Sequence, residues 1–238
     1  MTRIVLRTTR TWLACVALLT GWVAASGTLR AAVIVDTSTG YSSPTAQLGG
    51  YTMTPFGRSL GTIPSSTVNS ATDLGLTVQF SGAVEQTTVG AGGWAGWSHG
   101  YTGTVWHTAF SATKTSITLT LPTGTKAFYF YAMPGAASGS YNVSLDTVEA
   151  AQGGTVTKLV DVFSGAHFFG AYTTAGSSLT QLTISVPGVV NDGFAFGEFG
   201  IYNDNAGGGA VPEPTSMAIF GLSGLAFVAR RVAAKRRS

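Results

Sequence analysis

The stretch Lys126–Met133 reads KAFYFYAM. After the lysine every residue is aromatic, alanine or methionine, so neither two-residue nor helical alternation is visible. Such a run is either a strand buried on both faces or a piece of buried helix, and length decides between them. Gly124 lies just before it and Pro134-Gly135 just after it. That leaves too few residues for an ordinary helix but enough for a strand. The neighbours agree. SITLTL (Ser116 to Leu121) sets Ile117, Leu119 and Leu121 against Thr118 and Thr120. YNVSLDTV (Tyr141 to Val148) alternates in the same way. LTVQF (Leu76 to Phe80), TVTKLVDVF (Thr155 to Phe163), QLTISV (Gln181 to Val186) and GFAFGEFGIY (Gly193 to Tyr202) read as further strands. Turn pairs separate several of them, including Gly153-Gly154, Pro187-Gly188 and Asp192-Gly193. No convincing amphipathic helix interrupts the series. Residues 32–205 are therefore expected to form one all-β domain, an antiparallel β-sandwich of jelly-roll-like type.

Charge is distributed unevenly. The whole chain carries +3. Between Ala32 and Pro214 there are four bases against ten acids, a net charge of −6. The excess of base sits at the two ends. A nucleic-acid surface needs a basic footprint on the folded domain, and this body has none. Cys15 is the sole cysteine and lies in the apolar leader, so the body has no thiol nucleophile and no thiolate metal site.

The first residues, MTRIVLRTTR, are basic, and Thr11 to Ala25 are apolar. A basic segment, a short apolar run and small residues make a secretory signal peptide over residues 1–31. Cleavage after Ala25 or after Ala31 fits, and Ala31 leaves AVIVDTS as a first strand. An uncleaved N-terminal anchor is the alternative. At the other end, residues 206–210 (AGGGA) form a flexible linker by composition. Residues 211–238 then read VPEPTSMAIFGLSGLAFVARRVAAKRRS. The two prolines keep the start of this tail extended. Met217 to Ala229 is an uncharged apolar segment, expected to be a membrane helix, and Arg230 and Arg231 open its basic flank. A chain exported at its N-terminus would keep that flank in the cytoplasm, as the positive-inside rule requires.

The tail resembles the PEP-CTERM sorting signal, carried here by Pro212-Glu213-Pro214, the apolar segment Met217 to Ala229 and the arginine-rich end from Arg230. The resemblance covers the last 28 residues or so and leaves the body untouched. It implies that exosortase, a membrane-embedded protease, is a partner, and that the sorting residues are a substrate motif. It also implies delivery to the cell surface or matrix of a bacterium, in association with exopolysaccharide, after a transient stage in the inner membrane. The uncharged run from Thr215 to Ala229 would span about 22 Å as a helix, against a hydrocarbon core of about 30 Å. That shortfall favours a signal over a permanent anchor, which is the competing reading.

Chemistry in the body is harder to find. Gly90 to His107 (GAGGWAGWSHGYTGTVWH) interleaves Trp94, Trp97, Tyr101 and Trp106 with glycines and two histidines. Aromatic rings on a β-face stack on sugars, so Trp94, Trp97 and Trp106 are candidate carbohydrate contacts. The alternative is a long loop whose tryptophans cover one end of the core. Asp192 and Asp204, with Asn191, Asn203 and Asp36, are weak candidates for calcium, which takes hard oxygen ligands. The same residues are ordinary turn formers. His99, His107 and His167 lack a short metal-ligand spacing. No cofactor motif is present. Glu198 stands between Gly197 and Phe199 in an apolar strand. Strict alternation places it beside Phe194 and Phe196, facing the core. The expectation preferred is that a bulge at Gly197, or the end of the strand, turns it to solvent.

The sequence thus leads to an exported, non-enzymatic surface or matrix protein. The alternatives are a secreted carbohydrate-binding module or glycan-active enzyme, and a permanently anchored surface protein.

Overall fold

The computed structural model describes residues 32–58, 64–90, 93–108, 114–148, 155–174, 176–188 and 193–206. The leader expected at 1–31 and the sorting tail at 211–238 lie outside these residues, as does most of the linker between body and tail. Among the described residues no helix is long and apolar enough to cross a membrane.

Among the described residues fourteen strands follow one another. The first seven are β1 (Val33–Asp36), β2 (Gln47–Leu48), β3 (Tyr51–Thr52), β4 (Thr54–Phe56), β5 (Ser66–Asp73), β6 (Leu76–Thr88) and β7 (Thr104–His107). The rest are β8 (Ser116–Thr120), β9 (Thr125–Pro134), β10 (Ser140–Thr147), β11 (Val156–Asp161), β12 (His167–Thr173), β13 (Gln181–Ser185) and β14 (Phe194–Asn203). Twelve of them join in one sheet, ordered β1-β12-β9-β14-β7-β6-β8-β13-β10-β11, with β4 added to β14 and β5 to β6. Its ladders are antiparallel, and β2 and β3 form a separate hairpin. The architecture is all-β and barrel-like, in keeping with the class the sequence predicts.

The reading of KAFYFYAM holds in detail. Phe128, Phe130 and Ala132 face the main core. Ala127, Tyr129, Tyr131 and Met133 face a second apolar cluster with Leu48, Met53, Phe168 and Tyr202. Strand β9 is buried on both sides because β12 and β14 flank it while side chains cover each face. Each fully buried aromatic or aliphatic side chain contributes about 1.5–3 kcal/mol.

Two expectations change. The run TVTKLVDVF does not stay a strand to Phe163. Asp161 ends it, because its carboxylate accepts a hydrogen bond from the Phe163 N–H at 3.0 Å and caps a 3-10 turn over Val162–Ser164. The long loop expected at Gly90 to His107 contains a strand, β7, which fills the place between β6 and β14.

Candidate functional site

The decisive irregularity lies in β14. Phe194 and Phe196 face the main core, and so do Phe199 and Ile201. Their numbers change parity, so the strand must slip by one residue between them. The register shows where. Gly197 pairs with Tyr131 and Gly200 with Tyr129. Two residues of β14, Glu198 and Phe199, therefore oppose Phe130 alone, which defines a β-bulge. Glu198 takes a left-handed backbone, φ 52°. The bulge at Gly197 is thus present, but it does not turn the side chain to solvent. Glu198 is only 6% exposed.

The side chain meets two residues of the glycine-rich segment. Glu198 Oε2 accepts a hydrogen bond from Trp97 Nε1 at 3.0 Å. His99 Nε2 lies 2.8 Å from Glu198 Oε1, within hydrogen-bond distance. The His99 backbone faces solvent, while its side chain is 12% exposed. It also has a left-handed backbone, φ 41°. Non-glycine residues in this region cost of order 1–3 kcal/mol each and persist where the surroundings over-determine them. Here they face each other across the His99–Glu198 contact. His99 Nδ1 sits 2.9 Å from Ser98 Oγ and 3.3 Å from the Tyr41 carbonyl oxygen.

Tyrosines surround the pair. The His99 and Tyr131 rings lie 5.0 Å apart. Tyr131 donates to the Ser42 carbonyl at 2.5 Å, and Tyr101 to the Thr104 carbonyl at 2.9 Å. The Arg58 guanidinium stands 5.1 Å from the centre of the Tyr101 ring, in cation–π range. Burial pushes the Glu198 carboxyl above its ordinary range, while the bonds from His99 and Trp97 and the charge of Arg58 pull it back. Burial, reinforced by the Glu198 charge, pushes Tyr129 up to about 12 and raises Tyr101 and Tyr131 as well. All three phenols are neutral at ordinary pH.

Gly165 completes the support. A Cβ there would lie 2.7 Å from the Ser98 nitrogen and 2.8 Å from the Trp97 carbonyl carbon, and its φ of 87° is left-handed. The Trp97–His99 segment rests on this glycine. Gly165→Ala is expected to lower stability by about 2 kcal/mol. The same substitution should shift the Trp97 emission, which urea melts followed by fluorescence would report.

The three candidate tryptophans behave differently. Trp106 is 2% exposed and stacks on Phe199 at 4.7 Å, so burial removes its ring face from ligand contact. Trp97 is half-buried and spends its indole N–H on Glu198. Trp94 is half-buried, with its ring 5.4 Å from that of His107. Burial lowers the His107 pKa, and the charge of Glu85 opposes that shift. His167 is also lowered by burial, against a 2.8 Å contact with the Phe168 carbonyl. The weak calcium candidates are described only in part. Asp192 and Asn191 lie outside the described residues. Asp204 sits 3.5 Å from Lys126, Asn203 bonds the turn at Pro122 to Thr125, and Asp36 caps its own turn through the Ser38 N–H. Among the described residues no group of three potential metal ligands occurs. The sorting residues Pro212, Glu213, Pro214, Arg230 and Arg231 also lie outside the described residues.

The Glu198–His99 pairing could not be read from the sequence. The one signal was an acid between two glycines in an aromatic strand.

Comparison with known proteins bears on the tail. Residues 210–237 match the family model of the PEP-CTERM protein-sorting motif. The body is thus an all-β domain joined to a sorting signal. Residues 210–237 carry a PEP-CTERM sorting motif, and such a motif implies an exported, exosortase-targeted chain that ends at the surface or outside the cell. No curated protein matches the chain. Among solved structures it is similar to the CBM22-1-GH10 modules of Clostridium thermocellum endo-1,4-beta-D-xylanase 10B complexed with xylohexaose. Identity is 14%, the TM-score 0.27, and the match covers 54% of this chain and 26% of that one. A likeness this distant fixes neither fold nor ligand.

Proposed function

We propose that this chain is a non-enzymatic protein of the cell surface or extracellular matrix, released from the membrane by exosortase and associated with exopolysaccharide. The observation that carries the reading is the sorting motif at residues 210–237. The body supports it. Glu198, the buried carboxyl most suggestive of acid–base chemistry, has both oxygens engaged, one by Trp97 and one by His99. Among the described residues, the charges that act on it are those of His99 and Arg58, not of a second carboxylate. A glycosidase pair needs two carboxyls facing one bond. The arrangement therefore holds a loop in place.

The test is the intact mass of the protein from its native host, in membrane and extracellular fractions. The expected product is an extracellular form that starts near Ala32, ends near Pro214 and sediments with the exopolysaccharide. A membrane-bound form retaining Ser238 would make the tail a plain anchor and overturn the reading.

A further inference from the structure

A second feature lies beside the Glu198 cluster and shares Arg58 with it. A hollow of about 250 Å³ opens where the end of β4, the end of β5, the last part of β6 and β7 meet. Arg58, Asp73, Gln86, Thr72, Thr104 and Trp106 line it. We propose that this hollow is a binding subsite for one uncharged pyranose ring of a polysaccharide. This deepens the exopolysaccharide reading and rests on it.

Three properties carry the assignment. The first is size. Sites for drug-sized ligands occupy roughly 300–1,000 Å³, so this one has room for a single ring. The second is the set of polar groups. Asp73, Gln86 and Arg58 all end in planar groups, the kind that pair with two neighbouring hydroxyls at once. They are held in place. Asp73 Oδ2 accepts the Gly57 N–H at 2.9 Å and Oδ1 the Leu74 N–H at 2.8 Å. Gln86 Oε1 accepts Trp106 Nε1 at 3.2 Å, leaving the amide N–H groups as the donors this residue brings. Arg58 is braced over the Tyr101 ring. Thr72 and Thr104 also line it, with the Thr72 hydroxyl 3.0 Å from that of Thr77. Such a lining offers donors and acceptors together, which suits a polyol. The third is charge. An anion in the hollow would face Asp73, and a cation would face Arg58, so the opposed pair selects against both.

Gly57 keeps the floor open. It has a left-handed φ of 64°, and a Cβ there would lie 3.0 Å from the edge of the Trp106 ring. Trp106 is 2% exposed, so hydrogen bonding rather than stacking supplies the specificity.

The experiment uses the full chain with its tryptophan indoles labelled for NMR. The probes are cellohexaose, a mannuronate hexamer, and oligosaccharides cut from the host's own exopolysaccharide. Expected are a saturable shift of the Trp106 indole N–H with a neutral probe and none with the mannuronate hexamer. Arg58→Ala and Thr72→Val, both at exposed positions, should each weaken binding about tenfold while leaving the unliganded Trp106 resonance in place. No Trp106 shift with any neutral probe, a preference for the acidic hexamer, or unchanged affinity in both variants would overturn the assignment. Sedimentation with the host polysaccharide is scored separately. If the protein sediments and the Trp94 or Trp97 signal moves instead of Trp106, the hollow is wrong and the exopolysaccharide reading stands. If Trp106 responds but the protein stays apart from the host polysaccharide, the subsite stands and the matrix reading falls.

Discussion

Glu198→Ala is expected to lower the stability of the β domain by about 3 kcal/mol, the usual range for removing one partner of a buried, hydrogen-bonded pair. The loss leaves the Trp97 indole N–H and the His99 ring without their acceptors. For a domain of this size it corresponds to a melting temperature roughly 6–12 °C lower. Glycine makes the sharper comparison. At φ 52°, alanine carries a backbone cost of about 1–2 kcal/mol that glycine does not. Glycine ordinarily destabilises a strand by about 0.5–1 kcal/mol relative to alanine. Here the order should invert, with Glu198→Gly the more stable of the two. Finding alanine the milder change would show that the bulge is not held in the left-handed region.

Glu198→Gln separates charge from hydrogen bonding. Burial raises the carboxyl above 4.5, its ordinary value. As pH rises, the unfolded chain loses this proton first and the folded chain later. Between the two the folded state binds more protons, so stability falls with rising pH. The contribution is complete below pH 4.5 and is lost as pH passes the folded value. Glutamine cannot titrate. The stability of wild type minus that of Glu198→Gln should therefore decline through this window in urea melts run at a series of pH values. A difference that rose with pH would mean that the paired, ionised form is the favoured one.

The contrast between Glu198 and its neighbours shows what a sequence can hold. KAFYFYAM was legible because its composition permits one environment, burial on both faces. SITLTL and YNVSLDTV were legible because alternation encodes one-sided burial. Strand β12, HFFGAYT, and strand β7, TVWH, escaped because glycine-rich surroundings dilute their pattern. LTVQF announced only the first part of β6, since SGAVEQTT carries polar residues at positions that the pairing with β5, β7 and β8 buries or half-buries. The Glu198 cluster depends on a one-residue slip in β14, and local sequence gives no rule for where a buried carboxyl will find its partner 99 residues away. The hollow beside Arg58 is less legible still, because four separate strands or strand ends build it. The sorting tail was legible for the opposite reason. It is read by another protein as a linear motif.

Trp106→Ala should be the most damaging single substitution in the aromatic segment, costing about 3–5 kcal/mol and roughly 6–20 °C in melting temperature. The ring is stacked on Phe199 at 4.7 Å with 9° between planes and meets Phe80 edge-on at 5.8 Å. Its removal would leave a cavity against Phe199 and strip Gln86 of its donor. Trp106→Phe should recover much of the packing and none of the hydrogen bond. Trp94→Ala should cost less, because that ring is half-buried beside His107. These tryptophans look alike in sequence, and thermal melts of the variants distinguish them. If Trp106→Ala melted within about 2 °C of wild type, Trp106 would not be a core residue. Its ring would then be free to stack on a ligand, and the hollow would need a different floor. If the large loss is found, Trp106→Ala is useless as a binding probe, and the ligand question passes to Arg58 and Thr72, whose side chains the core does not need.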